Sequence, residues 1–196
     1  MTQFYGTLTP EKTEREEKNM QLVRKGAGEC MVLLENDGVL PLKKIGKIAL
    51  YGAGARHTIK GGTGSGDVNS REVINIEQGL KDAGFTITTD RWLTAYDELL
   101  KEAKTAHQAE VNRLAEERQQ PPFIIEFELP FKEPDLQVIT EEDVKDSDTD
   151  TAVLVISRNS GEGADRWNKK GIICSTTARE RLWNSWVLIM RKPSYF

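Results

Sequence analysis

Near the start of the chain apolar residues return every three or four positions, at Met20, Val23, Ala27, Cys30 and Leu34, the spacing of one face of an amphipathic helix. Thr13 and Glu16 stand three apart ahead of it, as in a capping box, and Gly38 after Asn36 and Asp37 marks its end. Residues 39–42, with Pro41, predict a packed turn. The pattern then changes. Residues 47–51 (Lys-Ile-Ala-Leu-Tyr) form a short apolar run bounded by turn residues, as a buried parallel strand does. A glycine-rich loop follows over residues 52–66. Val73, Ile74, Ile76, Leu80 and Ala83 then predict a helix closed by Gly84, and residues 85–88 alternate as a second strand.

This βαβ unit leads into a long helical stretch over residues 93–118, with Leu99, Ala103, Ala106 and Leu114 among its apolar positions and Pro121-Pro122 as its stop. Residues 123–135 mix aromatic residues, glutamates and prolines without a period and read as a loop. A short helix is expected over residues 141–145. Residues 151–157 (Thr-Ala-Val-Leu-Val-Ile-Ser) are the most strand-like of all and are expected at the centre of the sheet. The alternation predicts an α/β fold: a mostly parallel sheet covered by helices on both faces.

Composition narrows the function classes. A chain of 196 residues suits one domain. Its 27 basic and 31 acidic residues leave a net charge of -4, too weak a field to gather nucleic acid or anionic membrane. No apolar run approaches membrane-spanning length, and residues 1–10 lack the basic-then-apolar order of a secretory leader. Cys30 and Cys174 have neither zinc-ligand nor disulfide-framework spacing. A soluble, cytoplasmic protein is expected, with no metal, no nucleic acid partner and no membrane contact.

In open parallel sheets ligands bind beyond the carboxyl ends of the strands, so the loops after Tyr51 and Ser157 are the places for chemistry. The first holds Gly61-Gly62-Thr63-Gly64-Ser65-Gly66; the second reads Arg158-Asn159-Ser160-Gly161-Glu162-Gly163-Ala164-Asp165-Arg166. Gly52-Ala53-Gly54 after a strand hints at a dinucleotide fingerprint, but His57 stands where its third glycine belongs. A phosphate loop needs Gly-Lys-Ser/Thr, whereas Asp67 follows Gly66; and Thr63 breaks the GxSxG pattern around Ser65. His57 and His107 have no partners at ligand spacing and take ordinary surface or packing roles. Trp92 reads as a core or surface residue.

Three stretches together resemble the α/β-sandwich domain of glycoside hydrolase family 3, the β-glucosidase and β-xylosidase group. Residues 29–42 (Glu-Cys-Met-Val-Leu-Leu-Glu-Asn-Asp-Gly-Val-Leu-Pro-Leu) match its "E-x-x-V-L-L-x-N-x-G-x-L-P-L" opening; residues 61–66 are similar to its GGGSG loop, and residues 157–166 to its "SRxSGEGxDR" loop. The resemblance spans about residues 15–171 and leaves residues 1–14 as a polar leader. It implies hydrolysis of O-glycosidic bonds with retention, in which one carboxylate attacks the anomeric carbon and a second carboxyl protonates the leaving oxygen and later activates water. The nucleophile of the family lies on a (β/α)8 barrel, absent from this chain. The acid/base position corresponds to Glu162.

Gly161 and Gly163 would let that loop turn sharply and aim the Glu162 carboxyl at a docked sugar. Taken without the family motif, Glu162 is a solvated loop glutamate; the motif is what makes it a catalytic candidate. Arg158, Gly62, Ser65 and Trp167 are the candidate substrate contacts, Trp167 by stacking on a sugar ring. Asp165 and Arg166 read as an ion pair that braces the loop. An oligosaccharide or β-glucoside is the implied substrate, and no cofactor is implied. The alternative is a non-catalytic carbohydrate-binding or domain-assembly module using the same loops.

Beyond Gly171 the resemblance stops. Residues 172–196 carry four basic residues and one acidic, and Lys170-Gly171-Ile172-Ile173-Cys174 stands where the family continues "K-G-D-Y/F-x-L". Restoring one base in a codon assignment for Gly171 converts this to Lys-Gly-Asp-Tyr-Leu, so a frameshift is expected near Gly171 and the tail is read as aberrant.

Overall fold

The computed structural model describes residues 11–62, 64, 66, 68, 70, 72–157 and 159. The chain divides into two compact units, one ending at Lys44 and the other beginning at Ile45.

In the first unit α1 (Glu14–Ala27) starts at the expected capping box: the Thr13 hydroxyl accepts from Glu16 N at 3.3 Å, and the Glu16 carboxylate accepts from Thr13 N at 2.7 Å. The helix stops at Ala27, well short of the expected end near Gly38. Gly26 and Gly28 explain this, since each costs about 1 kcal/mol against alanine in a helix, and a single 3₁₀ turn, Gly28–Cys30, leads into extended backbone at Met31. The periodic apolar residues are not a core face either: α1 buries none, and Val23 is 71% exposed. The packed turn expected at residues 39–42 is not formed as such: the chain bends at residues 37, 38 and 41, and Val39 and Leu40 are exposed. Asn36 organises residues 36–40: its Oδ1 accepts from Gly38 N and Leu40 N, both at 3.1 Å, and its Nδ2 donates to Leu40 O at 2.8 Å.

Among the described residues the second unit is built on a three-stranded parallel sheet of order β2-β1-β3, formed by β1 (Lys47–Tyr51), β2 (Thr86–Ile87) and β3 (Ala152–Leu154). Among the described residues β1, not the segment at 151–157, is the central strand. From Ile48 to Tyr51 every residue of it is buried, which is why its sequence is apolar without alternation. Helix α2 (Ile76–Asp82) begins three residues later than expected because Asn75 caps it, accepting from Gln78 N at 2.8 Å. Helix α3 (Asp90–Arg118) follows β2 directly. Trp92, Leu93, Tyr96 and Leu100 form its buried stripe, and the Trp92 ring meets Tyr51 edge-on at 5.3 Å. Burial and the nearby Asp143 push the Tyr51 phenol up to about 12.

Residues 123–135 were expected as loop, but α4 (Pro122–Glu128) occupies their first half. Pro122 ends one helix and is also suited to the first turn of the next, where a missing N–H costs nothing. Ile125 of α4 packs with Val111 and Ala115 of α3 into a small second core. Helix α5 (Glu141–Asp146) starts at a capping box of Thr140 and Asp143.

Thr89 completes the sheet where β2 ends. Parallel pairing leaves Leu50 N–H and C=O facing the β2 side, beyond its two residues. The buried Thr89 hydroxyl accepts from Leu50 N at 2.8 Å and donates to Leu50 O. Thr89→Val keeps the shape and orphans both groups, so we expect a loss of about 1–3 kcal/mol. Urea unfolding checks this; Thr89→Ser, which keeps the hydroxyl, should stay close to the parent, and an unchanged midpoint for Thr89→Val would contradict the account.

Candidate functional site

The two candidate loops leave neighbouring strands. Val155 N donates to Tyr51 O at 2.9 Å, extending the β1–β3 pairing past the last residue of β3. Beside this bond lie the two glycines that suggested a nucleotide fingerprint. Gly52 has φ +96, and a Cβ on it would lie 2.3 Å from Val155 O; a Cβ on Gly54 would lie 2.7 Å from Val155 Cγ1 and 2.9 Å from Ser157 Cβ. The glycines therefore make room for the neighbouring strand. Ser157, the last residue before the Arg158–Arg166 stretch, sits against the root of the glycine loop.

That root is pinned by Arg56. Its Nε donates to Glu77 Oε2 at 2.7 Å and its Nη2 to Glu77 Oε1 at 3.2 Å and to Asp90; its Nη1 donates to Asp97 Oδ2 at 2.8 Å and to Thr94 Oγ1 at 3.0 Å. All five guanidinium N–H donors have acceptors. Glu77, nearly buried on α2, also meets Lys81 at 2.8 Å. Hydrogen bonds from Arg56 hold the Glu77 carboxyl below the usual carboxylate range, and the same bonds raise the guanidinium. His57 lies beside this cluster, its Nε2 2.7 Å from Asp97 Oδ1.

The feet of the loop are tied to each other as well. Asn75 Nδ2 donates to Arg56 O at 3.2 Å, and Ile76 N donates to the Thr58 hydroxyl at 3.1 Å, which itself donates to Gly54 O at 2.7 Å. Higher up, the Lys60 ammonium reaches across to Val68 O and to Ser70 Oγ. A Cβ on Gly61 would lie 2.2 Å from Gly66 O, so the loop closes on itself where only glycine fits. Gly62, a candidate sugar contact, is exposed there.

Of the other candidate residues, Arg158, Glu162, Asp165, Arg166, Trp167 and Ser65 lie outside the described residues, as does the tail from residue 172 onward. Trp92 is a core residue, 5% exposed. His107 meets the Phe131 ring at 5.4 Å. Sequence reasoning missed Arg56, whose partners are 21 to 41 positions away, and the pairing of His57 with Asp97. The local hint was a cation, Arg56, closing the short Gly-Ala-Gly-Ala run that follows β1. No helix among the described residues is long and apolar enough to cross a membrane.

Comparison with known proteins bears on this arrangement. The chain is 35% identical over 160 residues to β-glucosidase A of Butyrivibrio fibrisolvens, covering 80% of this chain and 17% of that protein. It is 38% identical over 95 residues to thermostable β-glucosidase B of Acetivibrio thermocellus, covering 44% of this chain and 13% of that protein. The fold matches β-glucosidase 3B of Thermotoga neapolitana, solved in complex with α-D-glucose, with a TM-score of 0.68 and 30% identity over 92% of this chain and 23% of that one. The chain thus spans less than a quarter of the length of these relatives. Residues 31–179 match the glycosyl hydrolase family 3 C-terminal domain, and the chain belongs to that family.

Proposed function

We propose that this chain is the acid/base-bearing domain of a retaining β-glucosidase, with Glu162 as proton donor and then as base, and with the nucleophile on a (β/α)8 barrel outside the chain. The observation that carries the reading is the shared root of the two loops: Val155 and Ser157 lie against Gly52 and Gly54, so the segment bearing Glu162 and the glycine loop start side by side at the carboxyl edge of the sheet. In this reading the glycine loop, through Gly62 and Ser65, and Arg158 hydrogen-bond sugar hydroxyls, Trp167 stacks on the ring, and Asp165 with Arg166 braces the loop. The glucose in the Thermotoga neapolitana complex is the same class of ligand. Retention needs the two carboxyl groups about 5–5.5 Å apart, a separation that only a docked barrel can provide. We place the protein in the cytoplasm.

Exchange of the matching 160 residues of Butyrivibrio fibrisolvens β-glucosidase A for this chain tests the proposal. The hybrid is expected to hydrolyse an aryl β-glucoside and to release β-glucose first. A folded hybrid that binds glucose without turnover would favour a carbohydrate-binding module instead. One that does neither would remove both readings.

A further inference from the structure

We infer that Arg56 is the positioning residue for the glycine loop, setting where Gly61, Gly62 and Gly66 stand relative to the sugar; the inference rests on the β-glucosidase reading. A guanidinium with all five donors engaged is fixed in orientation as well as place. Its acceptors lie on α2 (Glu77) and on two successive turns of α3 (Asp90, Thr94, Asp97). Its own backbone carbonyl receives Asn75 Nδ2 from the far foot of the loop. One residue thereby registers both feet of residues 59–74 against two helices.

Stability alone does not call for this arrangement. Apolar packing at such a place serves a fold as well as a buried ion cluster does, whereas charged clusters are best attested as devices that select one register. Lysine cannot substitute, because a single ammonium with three donors cannot span α2 and two turns of α3 together. The proton donor stands on the other loop, so a displaced glycine loop should weaken the hold on the sugar in ground state and transition state alike.

In the hybrid enzyme, Arg56→Lys is accordingly expected to raise KM by about tenfold while kcat stays within about twofold. An unchanged KM, or a fall in kcat alone, would overturn the assignment. Asp90→Ala, which removes one of the five acceptors through a side chain 70% exposed, should raise KM by a smaller step in the same direction, and no step there would count equally against it. Amide exchange in the 196-residue chain separates positioning from support: Arg56→Lys should speed exchange of the His57 and Ile76 amides, which are hydrogen-bonded at the two feet of the loop, while Ile48 and Leu50 keep their protection. A uniform rise would make Arg56 a stabilising residue only and sink the inference. Absence of β-glucoside turnover in the folded, unsubstituted hybrid would instead remove the β-glucosidase reading itself.

Discussion

Glu162→Gln in the hybrid enzyme is expected to lower turnover of an alkyl β-glucoside by about 10²–10⁴-fold, the usual contribution of a positioned general acid/base. An alkoxide is a poor leaving group, so bond cleavage depends on proton donation; glutamine can hydrogen-bond the leaving oxygen but has no proton to give. For an activated aryl glucoside the first step needs little help, and the loss should move to hydrolysis of the glycosyl-enzyme, which needs a base to deprotonate water. Azide requires no base, and added azide should restore release from the variant as β-glucosyl azide. The alkaline limb of the pH profile, which reports ionisation of the acid, should vanish in the variant. Turnover within a few-fold of the parent with both substrates would exclude Glu162.

Arg56→Ala should cost about 3–5 kcal/mol, the range for removing one partner of a buried ion pair. Most of that comes from what remains. Glu77, with a side chain 8% exposed, would keep only Lys81, whose side chain is 47% exposed. The sign of the pH dependence distinguishes this from lost packing. In the parent, Glu77 lies below its ordinary value of 4.5, so its contribution is complete above that pH and is lost as pH falls through the depressed value. In Arg56→Ala burial and the Lys81 contact remain while the main counter-charge is gone, which should raise Glu77 from its depressed value and make the variant lose less stability on acidification than the parent does. Glu77→Gln added to Arg56→Ala should recover part of the loss, because no unpaired carboxylate is left. Urea unfolding at pH 7 and again below pH 4.5 measures both effects; a double variant no more stable than the single one would refute the explanation.

What the sequence disclosed follows the range of each interaction. β1 was legible because burial on both faces imposes an unbroken apolar run, and the Thr13–Glu16 box because its partners are three residues apart. Helix α1 was extended too far because apolar spacing continues past Gly26 and Gly28, where backbone preference overrides it. Helix α4 was missed because two prolines were read only as a stop. Residues 151–157 were expected at the centre, a place that β1 holds among the described residues, because strand propensity reports fit to a pleated surface and not position in a sheet. The Arg56 cluster spans three segments that only folding brings together, so no local pattern announced it. Glu162 was reached through a family motif, since a glutamate between glycines has many uses.

The tight seam between Gly52, Gly54, Val155 and Ser157 also limits how such a domain can diversify. Neither loop can be re-angled at its base without displacing the other, so insertions that retune sugar choice are tolerable only farther out, past Thr58 on one side and past Ser157 on the other. For an engineer exchanging loops between homologues, those two residues are the natural splice points.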